Sequence, residues 1–136
     1  MNKSTLNKKS KGTNAERDLI HRFNDNGWVA IRSAGSGSMQ YPSPDILAGN
    51  NLRRLAIECK AVNDIKKYFT EKEITELVFF ANKFGAEAWV AVRFDRIDWF
   101  FLTIEDLEKT DKSYYVDIRI AKNKGLSFEQ VIGQYG

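Results

Sequence analysis

The stretch from Ile46 to Lys60 constrains the fold most tightly. Two runs of strand-forming residues flank the turn signal Gly49-Asn50-Asn51 and read as a β-hairpin. A turn centre between Asn51 and Leu52 places Asp45 opposite Glu58, because the two are equidistant from it. Directly opposed residues share a face, with Cβ atoms about 4.5–5.5 Å apart. Strand alternation adds Ala56 and Lys60 to that face and sends Leu55, Ile57 and Cys59 to the other. Two carboxylates and an ammonium therefore converge. Opposed like charges destabilise a sheet unless something neutralises them, which is a task for a divalent cation. Mg²⁺ takes one or two protein carboxylates and completes its shell with water and phosphate oxygen. An ordinary Glu58–Lys60 surface pair is the alternative, and it weakens once Pro44-Asp45 stands at hairpin distance.

Composition removes competing chemistries. With one cysteine, Cys59, and one histidine, His21, the 136 residues offer no Cys/His zinc site, no four-cysteine iron–sulfur cluster and no intrachain disulfide. Cys59 reads as a small buried hydrophobe and His21 as a surface residue. No apolar run approaches the ~20 residues of a membrane span, and the N-terminus lacks the apolar stretch of a secretory signal. A soluble, cytoplasmic protein with no membrane partner is expected. The net charge of +3 is carried by the first twelve residues, where Lys3, Lys8, Lys9 and Lys11 stand without an acid. Residues 1–12 are expected as a basic flexible arm suited to a polyanion, and 13–136 as one domain.

The remaining pattern predicts a mixed α/β architecture. Thr13 to Phe23 reads as a helix stopped by Asn26-Gly27, and Trp28 to Arg32 as a strand running into the small-residue loop Ser33 to Ser38. After a charged link, Asn63 to Tyr68, a second helix is expected from about Thr70 to Phe84. Strands follow at about Ala88–Phe94, Asp98–Thr103 and Tyr114–Ile120, then a short helix from Ser127. Glu16 admits two readings. It completes a Thr13-x-x-Glu16 capping box, yet it also points along the apolar face of Leu19, Ile20 and Phe23, where a carboxylate needs a partner such as a metal or its water. Arg53, Arg54, Lys66 and Lys67 flank the hairpin and could track phosphates, or form a solvated face. Helix two is richer in apolar residues than one sheet contact requires. With Trp99 it suggests a two-fold contact through Leu77, Phe80, Phe84 and Trp99, with core packing as the alternative.

Pro44-Asp45, then Glu58-Cys59-Lys60, preceded by a helical Glu16, resembles the PD-(D/E)xK nuclease core. The wider pattern, Lys11-Gly12-Thr13-Asn14-Ala15-Glu16-Arg17 with Gly27 to Ser33 and Phe84-Gly85-Ala86, is similar over about residues 11–104 to the archaeal Holliday junction resolvases, and within them to the Hje type. The resemblance implies a central mixed sheet flanked by helices and a homodimer that nicks four-way junction DNA with Mg²⁺, Mn²⁺ being a substitute. It implies Glu16, Asp45 and Glu58 as metal carboxylates and Lys60 as the catalytic lysine. Arg17 and Arg32 match basic positions near the site, and Ser36 matches a serine used close to the scissile phosphate. Another PD-(D/E)xK nuclease, of restriction or repair type, and a non-catalytic DNA-binding protein remain as alternatives.

Overall fold

The computed structural model describes residues 3–33 and 41–134. Its first helix, α1, runs Lys3–Asp25 and stops before Gly27, whose φ of 84° favours glycine. Thr13 thus lies inside the helix and not at its start, where the capping-box reading of Glu16 places it. The segment expected as a flexible arm is helical from Lys3 onward. Its polar residues include no proline, and a single Gly12 lowers helix propensity without breaking the helix.

Strands β1 (Val29–Arg32), β2 (Ile46–Gly49) and β3 (Arg54–Val62) form an antiparallel meander. The β2–β3 register pairs Ile46 with Ile57 and Leu47 with Ala56, as the turn symmetry predicts. Asn50 builds the turn. Its side-chain oxygen accepts from the Leu52 and Arg53 amides at 2.9 and 2.7 Å, and its own amide donates to the Arg53 carbonyl. Pro44 has no N–H to give a ladder, and β2 begins two residues beyond it.

Strand β4 (Lys66–Thr70) leads into helix α2 (Glu71–Phe84). A capping box at Thr70 and a left-handed Gly85, φ 83°, set the bounds of α2 close to those predicted. Strand β5 (Glu87–Phe94) then returns parallel to β3, and β6 (Phe100–Leu102) pairs antiparallel with β5. The main sheet has the order β1-β2-β3-β5-β6. Strands β7 (Glu108–Lys109) and β8 (Ser113–Asp117) join β4 in a second sheet of order β4-β8-β7. The link read as irregular therefore contains a strand, hidden in the sequence because Phe69 is its only buried residue. The strand expected to reach Ile120 ends at Asp117, whose carboxylate accepts from the Ile120 amide at 2.8 Å and starts helix α3 (Ile118–Lys124).

Helix α4 (Phe128–Val131), capped by Ser127, completes the chain. The central sheet is flanked by helices on both faces, the expected fold class. One face buries Leu19, Phe23, Trp28, Ile46, Ile57 and Phe128 with α1 and α4; the other buries Val90, Val92, Ile74, Leu77, Phe69 and Ile120 with α2 and α3. Leu77 and Trp99, expected at a subunit contact, are 3% and 2% exposed and belong to these cores. They have no surface left for a partner. Among the described residues no helix is long and apolar enough to cross a membrane.

Candidate active site

Alternation along β3 turns Glu58 and Lys60 to the α2 side of the sheet, where Asp45 follows the same register from β2. Asp45 Oδ2 accepts from the Cys59 backbone amide at 2.8 Å, a bond that fixes the carboxylate against β3 just beyond the ladder. The Asp45 and Glu58 carboxyls also hydrogen-bond to each other. Burial, then the hydrogen bond and charge of Asp45, push Glu58 up to about 9, against a downward pull from Lys60. A half-buried carboxyl pair in contact holds a proton at neutral pH unless a cation replaces it. That donor chemistry fits a hard divalent ion such as Mg²⁺, which accepts one or two carboxylates.

Lys60 adds the positive charge. Burial acts to lower it, but the hydrogen bond and charge of Glu73, with Glu58 and Asp45, raise it above its ordinary value. Its Nζ lies 3.1 Å from Glu73 Oε2, an α2 residue that the sequence reading did not single out. The signal available there, Thr70-x-x-Glu73, is that of a capping box, which reveals one use of the carboxylate and conceals the other.

Glu16 enters from α1, on the other side of the sheet. It is half-buried beside Ala15 and Leu19, as its helical direction predicts, and Arg32 Nε donates to its Oε2 at 2.8 Å. Burial and the charge of Asp45 raise Glu16, while Arg32 and Lys60 draw it down, so it shares the field of the site. Among the described residues no three His, Cys, Asp or Glu side chains gather into a metal-holding group. Two of the three expected ligands, Asp45 and Glu58, are in contact; Glu16 is held by Arg32.

The flanking basic residues divide. Arg17 is exposed. Arg53 is taken up by the fold: it makes a bidentate pair with Glu87 at 2.8 and 2.9 Å, donates to the Val131 carbonyl at 2.6 Å and stacks over Trp28. Arg54 donates to the Gly85 carbonyl. Lys66 sits over the rings of Tyr68 and Tyr115, and Lys67 is half-buried on β4. Ser36 lies outside the described residues. His21 is exposed and Cys59 buried, with burial pushing its thiol up, as both were expected to be placed.

A mixed sheet carrying Asp45 immediately before one strand and Glu58-x-Lys60 on the next defines the PD-(D/E)xK class of nuclease core. The family model described as archaeal Holliday junction resolvase (hjc) matches residues 7–135, and the chain belongs to that family. The crossover junction endodeoxyribonuclease Hjc of Archaeoglobus fulgidus is 42% identical over 127 residues, covering 93% of each chain. Its Methanocaldococcus jannaschii counterpart is 32% identical over 124 residues, 91% of this chain and 88% of that one. The solved structure of the A. fulgidus Hjc superposes with a TM-score of 0.85 over 90% of this chain and 100% of that one, at 41% identity. The Hje enzyme of Sulfolobus acidocaldarius reaches 32% over 103 residues, 74% of each chain. The expected Hje likeness is therefore corrected: the likeness is to Hjc. The Hjc match is both more identical and longer, 93% of this chain against 74% for the Hje enzyme, and the Hjc family model runs to residue 135.

Proposed function

We propose that the chain is a homodimeric, Mg²⁺-dependent endonuclease that resolves four-way DNA junctions, each subunit nicking one strand. The observation that carries this reading is the contact between Asp45 and Glu58 beside Lys60, in a chain of the Hjc family. Asp45 and Glu58 are the residues that would hold the cation, Asp45 being oriented by the Cys59 amide. When bound, the ion supplies a water of lowered pKa and charge neutralisation at the phosphate. Lys60 stabilises the charge that builds on the phosphoryl oxygens, and its three ammonium donors leave two free of Glu73 for that purpose. Arg32 holds Glu16 at the rim and offers its remaining guanidinium donors to the backbone phosphate. Ser36 is assigned near the scissile phosphate by family resemblance alone. A DNA substrate makes the cell interior the place of action.

The dimer is assigned to the apolar face of the meander. Val29, Ile31 and Phe84 are 68%, 58% and 49% exposed, and with Leu47 they line one hollow at the β1 edge. Phe80, stacked on Phe84 at 5.3 Å, continues this surface on α2. Sedimentation at micromolar protein is expected to give a dimer; a monomer with junction cleavage intact overturns that part.

For the reaction, Asp45→Asn is expected to bind a four-way junction with an affinity near wild type and to lose Mg²⁺-dependent nicking by at least about 10³-fold. Preference for flap or linear duplex DNA over the junction would reassign the substrate to another PD-(D/E)xK class. Absence of nicking by the wild type with either Mg²⁺ or Mn²⁺ would leave a DNA-binding protein.

A further inference from the structure

We infer that Glu73 is a positioning residue for Lys60, and that the N-terminal cap of α2 is thereby part of the active-site scaffold. The inference rests on the proposed role of Lys60. Glu73 divides its carboxylate between two tasks. Oε1 accepts from the Thr70 amide at 3.0 Å and from the Thr70 hydroxyl at 3.1 Å, while Thr70 Oγ1 in turn accepts from the Glu73 amide at 3.0 Å. Oε2 is left to Lys60 at 3.1 Å. A capping box needs only the first set of bonds. The second oxygen is held in place by a side chain whose rotamer the cap has already fixed, so the Lys60 contact costs Glu73 no further ordering.

Lysine is a flexible four-carbon stem ending in a strongly hydrated point charge, and it does not orient itself. The acidic neighbours that act on Lys60 include Glu73, Glu58 and Asp45. Its ion pair is with Glu73, on the helix, and not with either member of the Asp45–Glu58 pair. That choice has a chemical consequence. An ammonium seated between Asp45 and Glu58 would neutralise the carboxylates that a cation must occupy, whereas one drawn toward α2 flanks the pair and keeps two donors for substrate oxygens. Glu73 stays anionic in this role. Burial opposes its charge, but the Thr70 amide and the Lys60 ammonium hold it below the ordinary carboxylate range, and it lies in the first turn of a helix, where the dipole favours an anion. The two side chains are 28% and 32% exposed, sheltered enough for the pair to hold a defined geometry.

The test uses the full-length protein, a synthetic four-way junction and Mg²⁺, with single-turnover cleavage at saturating enzyme, junction Kd and Tm measured on each variant. Glu73→Gln keeps a cap-competent side chain and removes the charge facing Lys60. Its expected phenotype is cleavage of bound junction slowed by about tenfold or more, with Kd within about twofold and Tm within a few degrees of wild type. Lys60→Ala should slow cleavage further still. Adding Glu73→Gln to Lys60→Ala should then change the residual rate by less than about twofold, since a positioning residue has nothing left to position. Wild-type cleavage by Glu73→Gln, or an equal fall in both backgrounds, overturns the inference while leaving the nuclease reading intact. Full activity of Lys60→Ala would instead overturn the role of Lys60, and the inference with it.

Discussion

Just before β3, Arg53 lies against Glu87 in a bidentate pair, with the Val131 carbonyl and the Trp28 ring completing its surroundings. At the middle of that strand, Glu58 lies against Asp45, carboxyl on carboxyl, with the nearest lysine drawn off to Glu73. The first arrangement satisfies itself and staples the C-terminal helix to the sheet. The second leaves a conflict that only a proton or a cation resolves. Charges arranged for stability cancel locally; charges arranged for chemistry are held short of cancelling, and the surrounding cores at 0% exposure, Ile57 and Val90 among them, supply the rigidity that keeps them so.

The largest expected effect comes from removing the conflict. Glu58 retains a proton in the folded, metal-free protein up to about pH 9, whereas an unfolded glutamate releases it near 4.5. Between those values the folded state binds more protons than the unfolded one, so metal-free stability falls as pH rises and levels off only above about pH 9. In EDTA, Tm should decline steadily from about pH 5 to about pH 8.5. Glu58→Gln, which donates an amide hydrogen to Asp45 without needing a proton from solvent, should flatten that slope and raise Tm at the alkaline end while abolishing cleavage. A wild-type Tm that rises across this window would show that the two carboxyls are not in contact.

The staple end should behave in the opposite way. Arg53→Ala removes the charged pair and the bond to Val131, a loss of about 1–2 kcal/mol after allowing for the exposure of the pair, or roughly 3–8 °C in Tm. Junction cleavage at a temperature well below the transition should stay within about twofold of wild type. Weakened junction binding at unchanged Tm would return Arg53 to the phosphate-tracking role that the hairpin pattern suggested.

How much of this was legible from residues alone follows the range of the interactions. The hairpin register depends on one turn and on period-two alternation, both local, and Asp45 opposite Glu58 follows by symmetry. Glu16 was readable from its direction on a helix, although the start of that helix was misplaced because Thr13-Asn14 imitates a cap inside a polar helical run. Glu73 was out of reach. Its partner lies across a strand and a cap, and its own neighbourhood already explains it. The partners of Arg53 were out of reach for a similar reason, since Glu87 and Val131 are brought to it by the β3–β5 crossover and by α4. Leu77 and Trp99 carried an apolar signal that does not distinguish an interface from a core, and burial decided for the core. Tertiary contacts with no local signature were the common element in these misses.

The smallest effect tests the comparison at its quiet end. The Arg53 hydrogen bond holds Glu87 below its ordinary value; partial burial opposes this, and the Trp89 indole, donating at 3.1 Å, adds to it. A carboxylate so depressed adds stability above its unfolded value, near pH 4.5, and loses it as pH falls through the lower folded value. The acid limb of the stability curve should therefore contain a Glu87 component, where the alkaline decline contains Glu58. Glu87→Gln keeps an oxygen for Arg53 or Trp89 but not the charge, and for a pair this exposed the expected cost at neutral pH is about 0.5–1 kcal/mol. It should also make the acid limb shallower without changing the slope above neutrality. If Glu87→Gln instead altered the alkaline slope, the start and the middle of β3 would be electrostatically coupled, and the division between a stabilising site and a reactive one would fail.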